Sequence, residues 1–315
     1  MNRSYDIHRG FITIALGKYF SYLAYNLILS YRLNSSCNIP FVVVTDSAGA
    51  DLLNGLYDDS IVVDNVSAKG YLHKLDIYEW SPFEQTIFID ADSMIIRDIA
   101  DWFDIFELSG QDFAVWGRNQ SINDPAIQAL FQKKRAAVPR ETVEKYKLDY
   151  LISFNGGVYF FKKSSVAASI FQQAKDLLNT YEEDGLIKFS GNSMGDEPLM
   201  QIAMVTHGIK GIPDPDGIRM FCTPGMRNLQ IDVLRNKCRF IKVARIVTPA
   251  VMHWGTDVTR RNPIYKREAM KLNFNDKHSA VGKRCAAFLC QAVYPFLIFA
   301  ECCRTAGRFF QRIVR

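Results

Sequence analysis

Residues 85–98 read QTIFIDADSMIIRD, and the fold class turns on how that stretch is parsed. Thr86-Ile87-Phe88-Ile89 is an apolar, β-favouring run with the length of a fully buried strand. It breaks into Asp90-Ala91-Asp92 and resumes as Met94-Ile95-Ile96. A buried parallel strand that ends in carboxylates delivers them to the carboxyl edge of its sheet, where open α/β folds bind ligands. Two carboxylates one residue apart can share a hard divalent cation, which can in turn hold a diphosphate. The same pattern is compatible with an ordinary acidic turn, and Asp214-Pro215-Asp216 is a second copy of it.

Toward the N-terminus, residues 11–16 (FITIAL) read as a first strand, followed by Gly17 and a helix. That helix is apolar at Phe20, Leu23, Ala24, Leu27 and Tyr31, a stripe of helical period. Residues 41–46 and 61–64 read as two further strands, with a short helical segment around 50–57 between them. A helix over 72–80 stops at Ser81-Pro82, as proline enforces. Toward the C-terminus, 99–106 reads as a helix and 112–116 as a strand. Residues 118–150 carry Lys133, Lys134, Arg135, Arg140, Lys145 and Lys147 and read as a helical excursion over the mouth of the sheet. It serves either as a solvated face or as an acceptor-binding segment. Phe154-Asn155-Gly156-Gly157 opens a strand over 158–161, and Ser164 caps a long helix to about Tyr181. Gly195-Asp196-Glu197-Pro198 starts another, with acids at its positive end. Strands over 239–246 and 250–253 complete the pattern. Strands alternating with helices indicate βαβ units and a mainly parallel sheet, hence an α/β fold.

The chain has 315 residues, 48% of them hydrophobic and 23% charged, enough for a sizeable core. Its cysteines (Cys37, Cys222, Cys238, Cys285, Cys290, Cys302 and Cys303) are odd in number and form no C-x-x-C pair, which points to a reducing compartment rather than a disulfide framework or a zinc site. The opening MNRSYDIHRG lacks the apolar run of a signal peptide, so a cytoplasmic location is expected. Of the net charge of +5, residues 258–315 supply twelve Lys and Arg against three acids, nine positive in excess, so residues 1–257 carry four net negative charges. Basicity confined to the tail argues against a nucleic-acid partner for the body of the fold.

Several motifs recur in a recognisable order. Lys74-Leu75 precedes Asp90-Ala91-Asp92, a hydrophobic run and the segment Ile99-Ala100-Asp101-Trp102-Phe103; then come Phe154-Asn155-Gly156-Gly157-Val158, Gly195-Asp196-Glu197 and Val251-Met252-His253-Trp254-Gly255. Over roughly residues 10–257 this resembles glycosyltransferase family 8, the GT-A-fold group that includes glycogenin and bacterial lipopolysaccharide sugar transferases. The resemblance implies a GT-A fold and transfer of a hexose from a nucleoside diphosphate sugar, UDP-linked, to a glycan or glycolipid, with retention of anomeric configuration. It implies Mn²⁺ or Mg²⁺ on Asp90, Asp92 and His253, and a ligand set of two carboxylates and one imidazole suits either ion. Tyr19 would stack on the uracil, though a tyrosine there also reads as core packing. Lys74 would neutralise the diphosphate, unless it is a helix-surface lysine. Ala91, Gly156 and Gly157 would admit the donor closely, the glycine pair reading equally as a bulge. Asn155 would hydrogen-bond sugar hydroxyls, and Asp196 would lie beneath the transferred sugar, where it is also simply a good helix-start residue. One departure stands out: only Trp254 separates His253 from Gly255, and the nearest following cations are Arg260 and Arg261.

Residues 285–300 form an apolar run with Gln291 as its one strongly polar residue, flanked by Lys283 and Arg284 and by Arg304, Arg308, Arg312 and Arg315. It is short for a membrane span and contains Pro295, so 283–315 reads as a helix lying on an anionic membrane surface, or as a helix docked on the core. The expected layout is a GT-A domain over 1–262 and a basic, apolar C-terminal helical extension over 263–315, placing the protein at the cytoplasmic face of a membrane. Two rivals share the sheet: a sugar-1-phosphate nucleotidyltransferase, for which Leu16-Gly17-Lys18-Tyr19 lacks the Gly-rich, Arg-containing loop, and a catalytically degenerate scaffold, which has no need of Asp90, Asp92, Asp196 and His253.

Overall fold

The computed structural model describes residues 6–63, 70–189, 193–214, 217–222, 225–242 and 244–277. The tail at 283–315 lies outside them. In chain order the elements begin with β1 (Arg9–Ala15), α1 (Lys18–Asn34), β2 (Phe41–Thr45), α2 (Ser47–Leu53) and β3 (Asp59–Val62). A 3-10 segment, Gly70–Asp76, runs into α3 (Ile77–Trp80), followed by β4 (Gln85–Ile89), β5 (Ser93–Ile95), α4 (Trp102–Leu108), β6 (Phe113–Ala114) and β7 (Gly117–Ser121). Then come α5 (Pro125–Gln132), α6 (Arg140–Lys145), β8 (Tyr150–Phe154), β9 (Val158–Lys162), α7 (Ser165–Asp176), β10 (Lys188–Phe189), β11 (Ser193–Met194) and α8 (Asp196–Thr206). The chain continues with β12 (Met220–Cys222), β13 (Arg227–Asp232), β14 (Lys237–Lys242), β15 (Arg245–Val247), β16 (Val251–His253), α9 (Thr256–Arg261) and α10 (Pro263–Lys277). They fall into two compact units, Met1–Ala24, Cys37–Ala91 and Ala100–Arg219 in the first, and Tyr25–Ser36, Asp92–Ile99 and Met220–Arg315 in the second.

The first unit is built on a six-stranded sheet of order β3-β2-β1-β4-β9-β6. β3, β2, β1 and β4 are parallel, while β9 runs antiparallel to both β4 and β6. The sheet is thus mainly parallel, as the alternation of strands and helices implied. β2 and β4 are buried at every position because both faces of the sheet are covered. On one face Ile12, Val44, Phe88 and Tyr159 share a core with Ile170 and Phe171 of α7 and Leu199 and Ile202 of α8. Strand alternation turns Phe11 and Phe160 the other way, onto α4, where Phe103 meets Phe11 edge-on at 5.2 Å and Phe106 stacks on Phe160 at 5.1 Å.

Some elements differ from the sequence expectation. The second helix starts earlier than residue 50, because Asp46 caps it by accepting from the Gly49 N–H. The strand expected over 112–116 is regular for only two residues, after which Trp116 makes a lone bridge to Ile212. The excursion over 118–150 is not helical throughout. It contains α5 and α6, but its two ends form the antiparallel pair β7–β8. In α1, Leu23 and Ala24 are buried as the stripe requires, whereas Phe20 is 37% exposed and belongs to the outer face.

The second unit carries a three-stranded sheet of order β12-β16-β5 and a purely antiparallel one, β13-β14-β15. The single strand expected over 239–246 is instead two, β14 and β15, paired Lys242 to Arg245 across a turn where Ala244 has φ 58°. α10 is fastened by Glu268, which is fully buried and accepts from the Val233 N–H at 2.8 Å and the Arg267 Nε at 2.7 Å. Lys271 lies 3.0 Å from the same carboxylate and 3.2 Å from Asp232, while Arg267 also donates to the Ile231 carbonyl at 2.9 Å. Among the described residues, no helix is long and apolar enough to cross a membrane.

Candidate functional site

In the first unit, β4 carries the chain to Asp90, whose N–H donates to the Gly157 carbonyl at 2.9 Å. Lys74, from the 3-10 segment, donates through Nζ to Asp90 Oδ2 at 2.8 Å and to the Gly156 carbonyl at 3.0 Å, and lies 3.5 Å from Asp196 Oδ2. Three acceptors match the three N–H bonds of an ammonium. Burial by itself would lower the lysine pKa, but the Asp196, Asp90 and Glu197 carboxylates outweigh it and hold the value above the ordinary one, so Lys74 stays charged.

Asp196 opens α8, where a carboxylate gains from the positive end of the helix dipole. It is only 3% exposed, and it accepts from Tyr159 Oη at 2.6 Å. Burial, and next the Asp196 and Glu197 carboxylates, push the Tyr159 phenol well above its usual pKa and keep it a donor. Between β8 and β9 the Asn155-Gly156-Gly157 turn is tied at both ends: Asn155 Oδ1 accepts from the Gly157 N–H at 3.1 Å, and the Gly156 N–H donates to Glu197 Oε1 at 2.7 Å. A Cβ at Gly156 would lie 2.7 Å from Tyr159 Oη, 2.9 Å from Asp196 Oδ2 and 3.0 Å from Glu197 Cγ. The space left at Gly156 is therefore taken by the protein's own acids and phenol, which is a different reason for glycine from the approach of a donor.

In the second unit, Asp92 sits just before β5 and His253 ends β16. The pairing of those strands sets Ser93 opposite His253, and the Trp254 N–H donates to the Asp92 carbonyl at 3.1 Å. His253 Nε2 consequently lies 3.0 Å from Asp92 Oδ1. Ala91, 5% exposed, is the one residue between Asp92 and Asp90. By residue type, Asp90, Asp92 and His253 are a group that could hold a metal ion. Two carboxylates and an imidazole fit a divalent cation such as Mn²⁺ or Mg²⁺.

Of the other residues singled out from sequence, Tyr19 lies in the first turn of α1, half-buried, with its ring edge-on to Phe20 at 5.8 Å. Arg260 and Arg261 are exposed on α9. Asp214, the first acid of the second D-x-D, accepts from the Ile218 and Arg219 N–H groups and so serves a turn. Tyr159 and Glu197 were not among the expected site residues. Glu197 adjoins Asp196, and strand alternation puts Tyr159 on the same side as Gly157, so both were within reach of the quoted motifs.

No family model matches the sequence, and no curated protein does. Solved structures do match. The galactosyltransferase LgtC in complex with donor and acceptor sugar analogues is 14% identical over 82% of this chain and 95% of its own, with a TM-score of 0.52. An active-site mutant of LgtC matches at 13% identity over 84% of this chain and 95% of its own, TM-score 0.51. The bifunctional glycosyltransferase WbbM matches at 15% identity over 70% of this chain but only 41% of its own length, and its TM-score of 0.46 carries no weight. The fold is that of the GT-A glycosyltransferases.

Proposed function

We propose that the chain is a metal-dependent glycosyltransferase that moves a hexose from a nucleoside diphosphate sugar, UDP-linked, to a glycan or glycolipid acceptor with retention of anomeric configuration. One observation carries the reading: a charged lysine held among three carboxylates at the carboxyl end of a GT-A strand, with Asp92, paired to His253, following two residues after Asp90 in the chain. LgtC, a galactosyltransferase whose structure holds donor and acceptor sugar analogues, supports a hexose donor and a saccharide acceptor.

A divalent cation on Asp90, Asp92 and His253 would supply Lewis-acid neutralisation of the departing diphosphate. Lys74 brings a permanent positive charge to the same strand end, and its three partners fix the ammonium in place, so little reorganisation is needed as charge develops. Asp196, oriented by Tyr159 and Lys74, is the acid beneath the transferred sugar and supports the positive charge that grows at the anomeric carbon. Asn155 positions sugar hydroxyls, its turn held by Glu197; Tyr19 offers a ring to the base, and Ala91 and Gly157 line the approach of the donor, while Gly156 leaves room for Tyr159, Asp196 and Glu197. The tail at 283–315 is proposed to rest on an anionic membrane surface, on the cytoplasmic side, near a membrane-borne acceptor.

Hydrolysis assayed across a panel of nucleotide sugars should require Mn²⁺ or Mg²⁺, and Asp92→Asn should abolish both turnover and the metal requirement. Full activity in chelator, or undiminished turnover by Asp92→Asn, would falsify the metal assignment. A chain ending near Asn275 keeps the buried Tyr265, Glu268, Ala269 and Leu272 of α10. It should stay folded and hydrolyse donor while losing co-sedimentation with anionic vesicles.

A further inference from the structure

In the second unit a cleft of about 460 Å³ opens beside β14; none of the residues assigned above to the donor lines it, and its walls include Arg97, Gln230, Asn236, Lys237, Arg239 and Thr248. We propose that this cleft binds a phosphate group, as a monoester or diester, through Arg97, Lys237 and Arg239.

Local structure brings the three cations together. Lys237 and Arg239 stand two apart on β14 and so project from the same side, about 7 Å apart along the strand; both are exposed, while Cys238 and Phe240 between and beyond them are buried. The register sets Gln230 beside Arg239 and Asp232 beside Lys237. Asn236, in the left-handed conformation at the turn before β14, donates through Nδ2 to Asn34 Oδ1 at 2.8 Å and to the Ile96 carbonyl at 3.1 Å. That last bond ties the start of β14 to the residue preceding Arg97, whose own N–H is held by the Ala250 carbonyl at 3.2 Å. Arg97 and Cys238 line the same cleft, so the Arg97 cation lies against β14.

The charges that Lys237 and Arg239 bring to the cleft do not balance among the described residues. Asp232, its one carboxylate, lies 3.2 Å from Lys271 and 3.8 Å from Arg235. Lys237 and Arg239 form no ion pair among the described residues. Arg267 and Lys271 of the same unit, by contrast, are neutralised by Glu268. Like charges two apart on one strand face repel, and a tetrahedral phosphate anion placed between them offsets the repulsion while meeting a guanidinium fork and an ammonium at once. Gln230 and Thr248 add neutral polar groups to the wall, suited to the ester or glycosyl portion of such a ligand.

The test uses full-length protein in chelator, so that no metal-bound diphosphate site competes. Inorganic phosphate is titrated calorimetrically at low ionic strength against a chloride control, and co-sedimentation is measured with phosphatidylglycerol vesicles against phosphatidylcholine. The variant Lys237→Gln/Arg239→Gln removes two exposed charges, and Arg235→Gln, also exposed but outside the cleft, is the charge control. Saturable phosphate binding that falls at least tenfold in the double variant and less than twofold in Arg235→Gln establishes a site for a soluble phosphate group. Absence of phosphate binding, with vesicle binding reduced tenfold in the double variant that still carries its tail, establishes a lipid phosphate as the source. Double-variant binding equal to wild type in both arms, or an equal loss in Arg235→Gln, overturns the proposal. Metal-dependent donor hydrolysis is unchanged in these variants if the cleft is separate from the donor site, so failure here and failure of the transferase reading are distinguishable.

Discussion

Two buried ionic clusters, one in each unit, are built from the same residue types and differ in their balance. Around Lys74, one cation faces three carboxylates, Asp90, Asp196 and Glu197, and the side chains of Lys74 and Asp90 remain 12% and 16% exposed. Around Glu268, two cations, Arg267 and Lys271, meet two carboxylates, Glu268 and Asp232, with Glu268 fully buried. The second cluster is complete in itself and fastens a helix. Among the described residues the first carries an excess of negative charge at a strand end that is still open to solvent, an arrangement that costs stability unless a further cation joins it. A balanced buried network is therefore the mark of architecture, and an unbalanced, partly open one is the mark of a ligand site.

Substitutions can break that contrast directly. The largest effect expected is on stability in the second unit: Glu268→Gln leaves two cations without their carboxylate and should destabilise by about 3 kcal/mol, the low end for breaking a buried pair. Urea unfolding would measure it, with donor hydrolysis by the folded fraction unchanged; a loss below about 1 kcal/mol would make the Glu268 cluster an ornament rather than a fastening. Asp196→Asn should do the reverse. It relieves like-charge crowding and leaves the unfolding midpoint where it was, while kcat falls roughly 10²–10³-fold with donor affinity little changed. If donor affinity falls and kcat does not, Asp196 only positions the donor.

The smallest effect sharpens the comparison with a third, architectural cluster. Asp184, 4% exposed, accepts from Lys145 Nζ at 2.6 Å, Tyr146 Oη at 2.9 Å and Thr180 Oγ1 at 2.7 Å. Burial pushes its pKa up, but those three donors overcome it and hold the carboxyl below its ordinary value. A depressed carboxyl stabilises the fold above its unfolded pKa, near 4, and loses that contribution as pH falls through the folded value. Asp184→Asn should thus cost about 2 kcal/mol at neutral pH. The wild-type and variant stability curves should converge in acid, and a constant gap down to about pH 2 would show that charge is not what holds this corner.

Much of the first unit was legible because its strands are buried on both faces and therefore appear as unbroken apolar runs: β1, β2, β4 and β9 could be read in this way, and the capped start of α7 and the acidic, proline-containing start of α8 were equally plain. β7 was not, since GRNQS is a largely exposed, polar strand with no hydrophobic signal to show. β14 and β15 merged in the sequence reading because the turn between them contains Ala244, a residue with no particular turn preference, rather than glycine or asparagine. The exposed Phe20 was misplaced because periodicity identifies a stripe and not its edge. In the site, Asp90, Asp92, Lys74 and His253 were visible one motif at a time, whereas the hydrogen bonds that join Lys74 to Asp90 and the Gly156 carbonyl, and Tyr159 to Asp196, depend on tertiary packing. The turn at Gly156 could be found, but the reason for its glycine could not.

That glycine has an evolutionary consequence. Added methyl carbon at position 156 would meet two carboxylate side chains and a phenol at once, so a single codon governs the placement of groups contributed by β9 and α8. While a lineage depends on this cluster, substitution at 156 is closed to drift. Should the activity be abandoned, the restriction at 156 would lapse before that at Tyr159, because the tyrosine ring also stacks on Phe88 in the core and is retained for packing alone. A descendant that keeps the tyrosine and has lost the glycine would thus be a fossil of the fold, intact in its sheet and silent in its chemistry.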